Sequence, residues 1–187
     1  KNSKVRYVEK HYGEGTGAGK RIMNPKTVVH LEEGAEMNLE TAQIGGVDDT
    51  IRETMADLKK GATLIIHDKI MTNGEQRAIA KMAVDLNEED SSCDIISRGV
   101  AKNESYQEVE LGINGNAACK GHAECDSIIM DQAKILAIPQ LKAAHVDASL
   151  VHEAAIGKIA GEQLVKLMTL GLSESEAEQR IVQGFLR

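Results

Sequence analysis

The sequence predicts a mainly β fold, in which coils of short strands stack on one another and two short helices close the chain. The first observation behind this prediction is composition, since the 187 residues include one Phe, three Tyr and no Trp. The core must therefore be built from Val, Ile, Leu, Met and Ala. Small aliphatic side chains suit a solenoid, because each coil must present to the next coil a surface like its own.

The second observation is a weak internal repeat. Four segments share an apolar residue, a turn of Gly, Asp or Asn, and a small residue before the next apolar run: Leu31 to Met37, Leu58 to Leu64, Leu86 to Cys93 and Leu111 to Ala118. Their leading Leu residues are 27, 28 and 25 positions apart. Between the turns, apolar and polar residues alternate with the period of two that indicates strands. An antiparallel meander with similar turns explains the pattern almost equally well, and Ile79 to Leu86 also fits a helix.

The third observation is a change to a period of 3.6 residues after Glu153, which predicts a helical segment over 154–187. Gly171 lies where a left-handed residue would end a first helix. Ser173 and Glu176 form a capping box that opens a second helix. The apolar positions of the two helices are Leu164, Leu167, Met168, Ala177, Ile181 and Val182.

The β core spans residues 1–153, and we expect its first 24 residues to be loosely attached. They include a Gly-rich segment, 13–20, that is similar to a phosphate-binding loop. Such a loop needs Gly where Glu14 stands and Ser or Thr where Arg21 stands, and the dinucleotide-binding pattern fails as well. The segment is therefore expected to be a flexible surface loop, and no nucleotide is expected to bind this chain.

Charge and hydropathy exclude several classes of function. The formal net charge is -7 and no run of Lys and Arg forms a basic stripe, so nucleic acid is not an expected partner. The longest apolar runs fall far short of the roughly 20 residues that cross a bilayer, so no membrane association is expected. Three cysteines, an odd number, and a start that lacks a basic-then-apolar leader favour a reducing, cytoplasmic location.

Two short segments carry the residues best suited to chemistry. Cys125 and the pair His152-Glu153 place a thiol, an imidazole and a carboxylate within 28 positions. These ligand types hold iron or zinc. Plainer interpretations are a satisfied core histidine and an inert, buried strand cysteine. Cys125 and His152 could also form a nucleophilic pair, but the sequence offers no hydrolase motif and no recognisable oxyanion hole.

A second group, Cys119, His122 and Cys125, has the spacing of zinc ligands. Along an unbroken strand Cys119 and Cys125 share a face while His122 points to the other, so a three-ligand site needs a bend. Structural zinc also takes four ligands, and Cys93 and His152 are distant in sequence. A deaminase is excluded, because no Pro-Cys-x-x-Cys follows His122. We interpret Cys93 as a small buried hydrophobe and keep Cys119 and His122 as auxiliary ligands.

A series of ordered motifs runs from Ser97 to the end of the chain: Ser97-Arg98-Gly99, His122-x-x-Cys125-Asp126-Ser127, Ile138-Pro139-x-Leu141, His152-Glu153-Ala154, Gly157-Lys158-Ile159, Glu162-Gln163-Leu164, Leu172-Ser173, Glu176-Ala177 and Ile181-Val182-x-Gly184-Phe185. With these motifs the sequence resembles the carboxy-terminal half of the SufB/SufD family, the scaffold subunits of the SUF machinery for iron-sulfur cluster assembly. Residues before about Asn73 match that family only loosely.

The resemblance implies a right-handed parallel β-helix whose helical segment docks on a SufC-type ABC ATPase. It implies a scaffold and not an enzyme, with ATPase activity in the partner. A nascent iron-sulfur cluster would be held transiently by Cys125, His152 and Glu153, where two β-helix subunits meet. The second subunit would be a SufB/SufD-type chain or another copy of this one, and a sulfur donor and apo-protein acceptors would be further partners. The Cys of the first motif and the Glu after His make the chain more similar to SufB than to SufD.

The resemblance also implies that the ATPase docks on an apolar surface of the helical segment: Leu164, Leu167, Met168, Leu172, Ile181, Val182 and Phe185. Two departures from the family pattern fall near this surface, since Leu170 replaces an Arg and Val165-Lys166 replaces an aromatic pair. Two alternative hypotheses stand beside the scaffold. One is a structural, SufD-like subunit that binds no cluster, and the more distant one is a zinc- or cysteine-dependent enzyme.

Overall fold

The computed structural model describes residues 1–14 and 18–187, which contain strands and two helices. The strands are β1 (Lys4–His11), β2 (Ile22–Met23), β3 (Lys26–Leu31), β4 (Glu36–Gln43), β5 (Asp49–Leu58), β6 (Thr63–Thr72), β7 (Arg77–Leu86), β8 (Ser92–Ala101), β9 (Tyr106–Gly115), β10 (Lys120–Ile129), β11 (Lys134–Ala143) and β12 (Ser149–Gly157), and the helices are α1 (Gly161–Thr169) and α2 (Glu174–Phe185). The centre of the Gly-rich segment, where a flexible loop is expected, lies outside the described residues. No helix in the described part of the chain is long and apolar enough to cross a membrane.

The strands pair in parallel and alternate between two sheets. The first sheet has the order β1-β4-β6-β8-β10-β12, and the second has the order β11-β9-β7-β5, with both β2 and β3 pairing with β5. From β4 onward, strands that are hydrogen-bonded neighbours are separated in sequence by one strand of the other sheet, so each coil of the chain contributes one strand to each sheet. The fold is therefore a parallel β-helix, and the antiparallel meander is excluded.

The register between coils confirms the first three units of the internal repeat. Their leading residues lie side by side on β3, β5 and β7: Leu31, Leu58 and Leu86. The fourth unit is wrong, because Leu86 pairs with Gly115 and not with Leu111. A side chain at Gly115 would place its Cβ atom 2.9 Å from the Cβ atom of Ala148 and 3.0 Å from Sγ of Cys119. Glycine therefore replaces the repeated Leu in this coil.

Inward-facing side chains fill the space between the two sheets. One row of the first sheet runs through four neighbouring strands as Leu39, Ile66, Ile95 and Ala123, each almost fully buried. The turns between strands use left-handed backbone at Gly61, Asp90 and Asn103, with φ of 63°, 61° and 58°. Gly, Asp and Asn tolerate this conformation best, which confirms the turn composition of the repeat.

Two segments differ in structure from what the sequence predicts. Ile79 to Leu86 belongs to strand β7, so its helical interpretation is wrong. Strand β1 pairs along its whole length with β4, from Lys4 beside Glu36 to His11 beside Gln43. Part of the amino-terminal segment that we expected to be loosely attached is thus the first strand of the first sheet.

The end of α1 and the beginning of α2 lie where their capping signals predict. Oγ of Ser173 accepts a hydrogen bond from the Glu176 backbone N–H, and the Glu176 side chain accepts one from the Ser173 N–H. Gly171 follows α1 with a φ of 94°. Strand β12 continues to Gly157, because its last residues still pair with β10, and the helical part proper begins four residues later.

Helix α2 packs on the outer face of the first sheet, whereas α1 contributes no buried residue. Val182 of α2 and Leu186 just after it cover Val100 of β8, and Met71 and Ile128 of the neighbouring strands border this contact. Helices of about ten residues are marginal on their own in water. The position of the helical segment therefore depends on this small apolar contact and on the polar contacts around it.

Candidate functional site

Cys125 lies in the middle of β10, and its side chain points between the two sheets. Only 1% of the residue is exposed. Along β10 burial alternates, so Ser127 shares the inner face with Cys125 while His122, Glu124 and Asp126 lie on the outer face. The thiol is thus enclosed by the solenoid, and carboxylates stand on the opposite side of the same strand.

The Ser97-Arg98-Gly99 motif on β8 lies directly beside the Cys125-Asp126-Ser127 motif on β10. The two tripeptides pair residue by residue: Cys125 with Ser97, Asp126 with Arg98 and Ser127 with Gly99. A Cβ atom on Gly99 would lie 2.5 Å from Oε1 of Gln107 and 2.9 Å from Oγ of Ser127. The glycine therefore leaves room for two polar side chains beside the cysteine.

A buried ion pair extends this polar interior. Nη2 of Arg52 donates to both carboxylate oxygens of Asp68, at 2.8 and 3.0 Å, and the two side chains are 7% and 0% exposed. The hydroxyls of Thr41 and Ser97 also donate to Asp68. Ser97 in turn pairs with Cys125 on the next strand. Hydrogen bonds thus connect the ion pair to Ser97, the residue beside Cys125 on the neighbouring strand, and sequence reasoning missed this network.

We expect Asp68→Asn to destabilise the fold strongly. The substitution keeps the shape of the side chain but leaves Arg52 as a buried cation without a counter-ion, which costs about 3–5 kcal/mol. Urea unfolding followed by circular dichroism measures the change in the free energy of unfolding. The matched control is Asp49→Asn, which removes a partly exposed pair with Arg77 and should cost less than about 1 kcal/mol. Equal losses in the two variants would contradict this account of the buried pair.

Burial also determines the protonation of the cysteines. It raises the pKa of Cys125 to about 11, although the nearby Ser127 hydroxyl works in the opposite direction. Burial raises the pKa of Cys93 to about 12, and it raises that of Cys119 as well. All three thiols are therefore protonated at neutral pH. A metal that binds Cys125 must displace its proton, so such binding would be favoured by higher pH.

His152 lies on β12, the strand next to that of Cys125, and faces the same interior. It pairs with Ala123, and Cys125 pairs with Ala154 two positions further along. With about 4.8 Å between strands and about 3.3 Å per residue, the α-carbons of Cys125 and His152 are about 8 Å apart. Neither ring nitrogen of His152 has a hydrogen-bond partner among the described residues. Burial lowers the pKa of His152, which favours the neutral imidazole that binds metals.

Glu153 lies on the opposite face of the same strand from His152. It pairs with Glu124 on the outer surface, where partial burial and a hydrogen bond with Asp126 raise the pKa of Glu124. The structure therefore brings Cys125 and His152 to one face but not Glu153. Within the described ranges, no three His, Cys, Asp or Glu side chains are placed to hold one metal ion.

The two auxiliary candidates, Cys119 and His122, also lie on opposite faces of the sheet. Cys119 is buried just before β10, whereas His122 lies on the outer face with Nδ1 2.8 Å from Oδ1 of Asp94. Cys119 and Cys125 thus share the interior and His122 does not, as the alternation along a strand predicts. Cys93 is buried on β8, consistent with its interpretation as a small hydrophobe.

The end of the β-helix beside this site is open. Among the described residues, β11 and β12 each pair on one side only. Their inward-facing residues Leu141 and Ile156 are 39% and 44% exposed, although the equivalent residues of earlier coils are buried. Unpaired strand edges with exposed apolar side chains favour pairing with another chain. His152 lies on this edge.

The residues expected to dock an ATPase divide between two environments. Val182 is buried against the sheet, and Ile181, Leu172 and Phe185 are half-buried. On α1, Leu164 and Leu167 are half-buried and Met168 is 42% exposed. Two of its neighbours, Val165 and Leu170, are more exposed still. The apolar surface that is open to a partner is therefore mainly that of α1.

Comparison with known proteins places this fold and its motifs in one family. Residues 1–185 match the family model described as SUF system FeS cluster assembly, SufBD core domain. The match therefore includes the residues before about Asn73, whose motifs resemble the family only loosely. The chain is 35% identical over 191 residues to an iron-sulfur cluster assembly SufBD family protein of Methanocaldococcus jannaschii, covering 100% of this chain and 59% of the relative.

Two further relatives have the same description. The protein of Archaeoglobus fulgidus is 32% identical over 188 residues, covering 100% of this chain and 50% of the relative. The protein of Pyrococcus horikoshii is 28% identical over 188 residues, covering 99% of this chain and 56% of the relative. The chain thus spans between a half and three fifths of the length of these relatives. The chain belongs to the SufBD family of iron-sulfur cluster assembly proteins.

Proposed function

We propose that this chain is a scaffold subunit on which a nascent iron-sulfur cluster is assembled and from which it is released. The observation that carries the proposal is the position of Cys125 and His152 on adjacent strands, facing one interior beside an open strand edge. A thiolate binds iron firmly and an imidazole binds it less permanently. This mixture suits a site that must give up its product.

The ligand set is completed when two subunits meet. Cys125 and His152 supply two donors, and a second SufB/SufD-type subunit or another copy of this chain supplies the rest across β11 and β12. Glu153 would join them if β12 shifts at the junction, because its side chain now lies on the outer face. A second subunit also closes the interior against water. Cys119 and His122 remain auxiliary candidates, and Cys119 is the one that shares the interior.

The helical segment would connect the scaffold to a SufC-type ABC ATPase. Val165 and Met168, three positions apart on α1, and Leu170 just after the helix are exposed apolar residues, and a partner protein could cover them. ATP would be bound and hydrolysed by that partner and not by this chain. A sulfur donor and apo-protein acceptors would complete the system, and we place its action in the cytoplasm. With Cys125 in its motif, the chain would act as the SufB-like subunit.

Anaerobic reconstitution tests the scaffold proposal. The protein is incubated with ferrous iron and sulfide, and visible absorption reports cluster formation. The loaded protein is then mixed with an apo-ferredoxin, and a scaffold should transfer the cluster within minutes. A loaded protein that never releases its cluster would be an iron-sulfur protein and not a scaffold. A protein that loads no cluster alone or with a second subunit would be the structural, SufD-like alternative.

We expect the chain to form a dimer through the open end of the β-helix. Ile156→Lys places a charge on the inner face of the edge strand β12, so it should give a monomer in light scattering at micromolar concentration. The matched control is Ile44→Lys, which charges an exposed residue at the other end of the solenoid and should leave the dimer intact. A strict monomer for the unaltered chain would exclude the homodimer and require a different subunit at this edge.

A further inference from the structure

Arg98 is the member of the Ser97-Arg98-Gly99 motif whose side chain leaves the interior. On the outer face of the first sheet it reaches the end of helix α2. Its Nη1 donates to the carbonyl oxygen of Phe185 at 3.3 Å and lies 3.5 Å from that of Arg187. The guanidinium carbon is also 5.9 Å from the centre of the Phe185 ring, which is within the range of a cation-π interaction.

These contacts supply what α2 lacks in its own sequence. The last carbonyl groups of a helix have no partner within the helix, and they form the negative end of its dipole. The last turn of α2 contains no basic residue. Arg98 therefore provides, from a neighbouring strand, both a hydrogen-bond donor for these carbonyls and a positive charge beside them.

Strand β8 holds the helix at successive points. Arg98 and Val100, on its outer face, meet the last turns of α2, and Lys102, just after the strand, meets the middle of the helix. Val100 packs with Val182 and Leu186, and Nζ of Lys102 lies 3.8 Å from the carboxylate of Glu178. On the inner face of the same strand, Ser97 pairs with Cys125. Strand β8 thus contacts α2 through its outer face and is hydrogen-bonded along its edge to β10, the strand of Cys125.

We propose that Arg98 is a positioning residue that fixes the C-terminal end of α2 on the sheet and so sets the place of the docking helices relative to Cys125. The role of the helices as a docking surface rests on the proposed function, whereas the contact itself does not. Because α1 buries no residue and the apolar contact under α2 is small, the loss of Arg98 removes a large share of what holds the segment.

Pulsed electron paramagnetic resonance measures this position directly. Spin labels are attached to Gln183→Cys on α2 and to Asn87→Cys in the turn before β8, both exposed positions, while the three native cysteines are buried and remain unlabelled. The parent should give a narrow distance distribution and Arg98→Ala a broad one. Arg98→Lys keeps the charge but not the planar stacking, so its distribution should be intermediate.

Hydrogen exchange of the amides of α2 is the second measurement. Arg98→Ala should speed exchange in the last turn roughly tenfold. The control is Lys120→Ala, which removes an exposed cation from the neighbouring strand β10. Lys120 pairs with Ser92, six positions before Arg98, so the substitution should leave both measurements unchanged. An unchanged distance distribution for Arg98→Ala, with exchange within about twofold of the parent, would overturn the proposal. If Arg98→Ala does not fold, the test uses Arg98→Lys instead. A distance distribution for Arg98→Lys that is as narrow as that of the parent would then overturn the proposal.

Binding of a SufC-type ATPase is measured separately, because the docking surface belongs to the proposed function and the contact of Arg98 with α2 does not. The affinity of a SufC-type ATPase for the parent chain tests the docking surface itself. If the parent binds and Arg98→Ala binds equally well, the consequence for docking is wrong while the scaffold proposal stands. If the parent does not bind the ATPase, the proposed docking fails, and the distance measurement still decides whether Arg98 positions α2.

Discussion

Cys125→Ala should abolish cluster loading in anaerobic reconstitution, because it removes the thiolate that we propose as the firmest ligand. Visible absorption after reconstitution measures the effect. Cys93→Ala is the matched control, since Cys93 is also buried and protonated and lies on the neighbouring strand. It should load as the parent does. Loading of the parent should also increase between pH 7 and pH 9, because the thiol proton must leave before iron binds.

The comparison between the two cysteines is informative because both substitutions make a similar small cavity. Loss of loading in both variants would indicate a packing effect and not a ligand. Unchanged spectra for Cys125→Ala would exclude Cys125 from the site, and His152→Ala would then show whether the edge strand contributes at all. Circular dichroism of each variant establishes that the β-helix is folded before the spectra are compared.

Met168→Glu should weaken binding of the ATPase roughly 10- to 100-fold, because it places a charge three positions from Val165 on the exposed apolar surface of α1. Isothermal titration with the partner measures the affinity. Gln163→Glu adds the same charge to the same helix at an exposed polar position, so it should bind as the parent does. Met168→Glu binding at undiminished affinity would show that the ATPase contacts another surface.

A point substitution is a sharper test than removal of the helices. Deletion of residues 172–187 would uncover Val100, Met71 and Ile128, which α2 now covers. The truncated chain would then expose a new apolar surface on the first sheet. Loss of binding after truncation would combine the missing helix with this damage, whereas Met168 is already exposed and its substitution leaves the sheet covered.

The strands could be predicted from the sequence because alternation is a local property. Pairing is not local, since the neighbour of Leu58 in the sheet is Leu31, 27 residues earlier, so a parallel coil and a meander give similar patterns within each strand. The fourth repeat unit was misplaced for a similar reason. Leu111 has the expected chemistry, but Gly115 occupies the position because Ala148 and Cys119 from other parts of the coil fill its space.

The candidate site could be predicted in part. Cys125 faces inward as its alternating strand predicts, and the same rule places the adjacent residues His152 and Glu153 on opposite faces, which the resemblance alone does not reveal. Arg52 and Asp68 each stand at an inward position of an alternating strand, and a charge at such a position is the signal of a buried pair. Their partnership could not be predicted, because they lie on different sheets.

The open end of the β-helix has a consequence for local unfolding. In a solenoid each interior coil is stabilised by two neighbours, whereas among the described residues the coil of β11 and β12 has one. The free energy that opposes fraying therefore falls towards this end. His152 belongs to this end coil, which frays more readily than the interior coils, and Cys125 lies one coil further inside. A chain added to the edge would turn the last coil into an interior one, so that assembly itself would order the two candidate ligands with respect to each other.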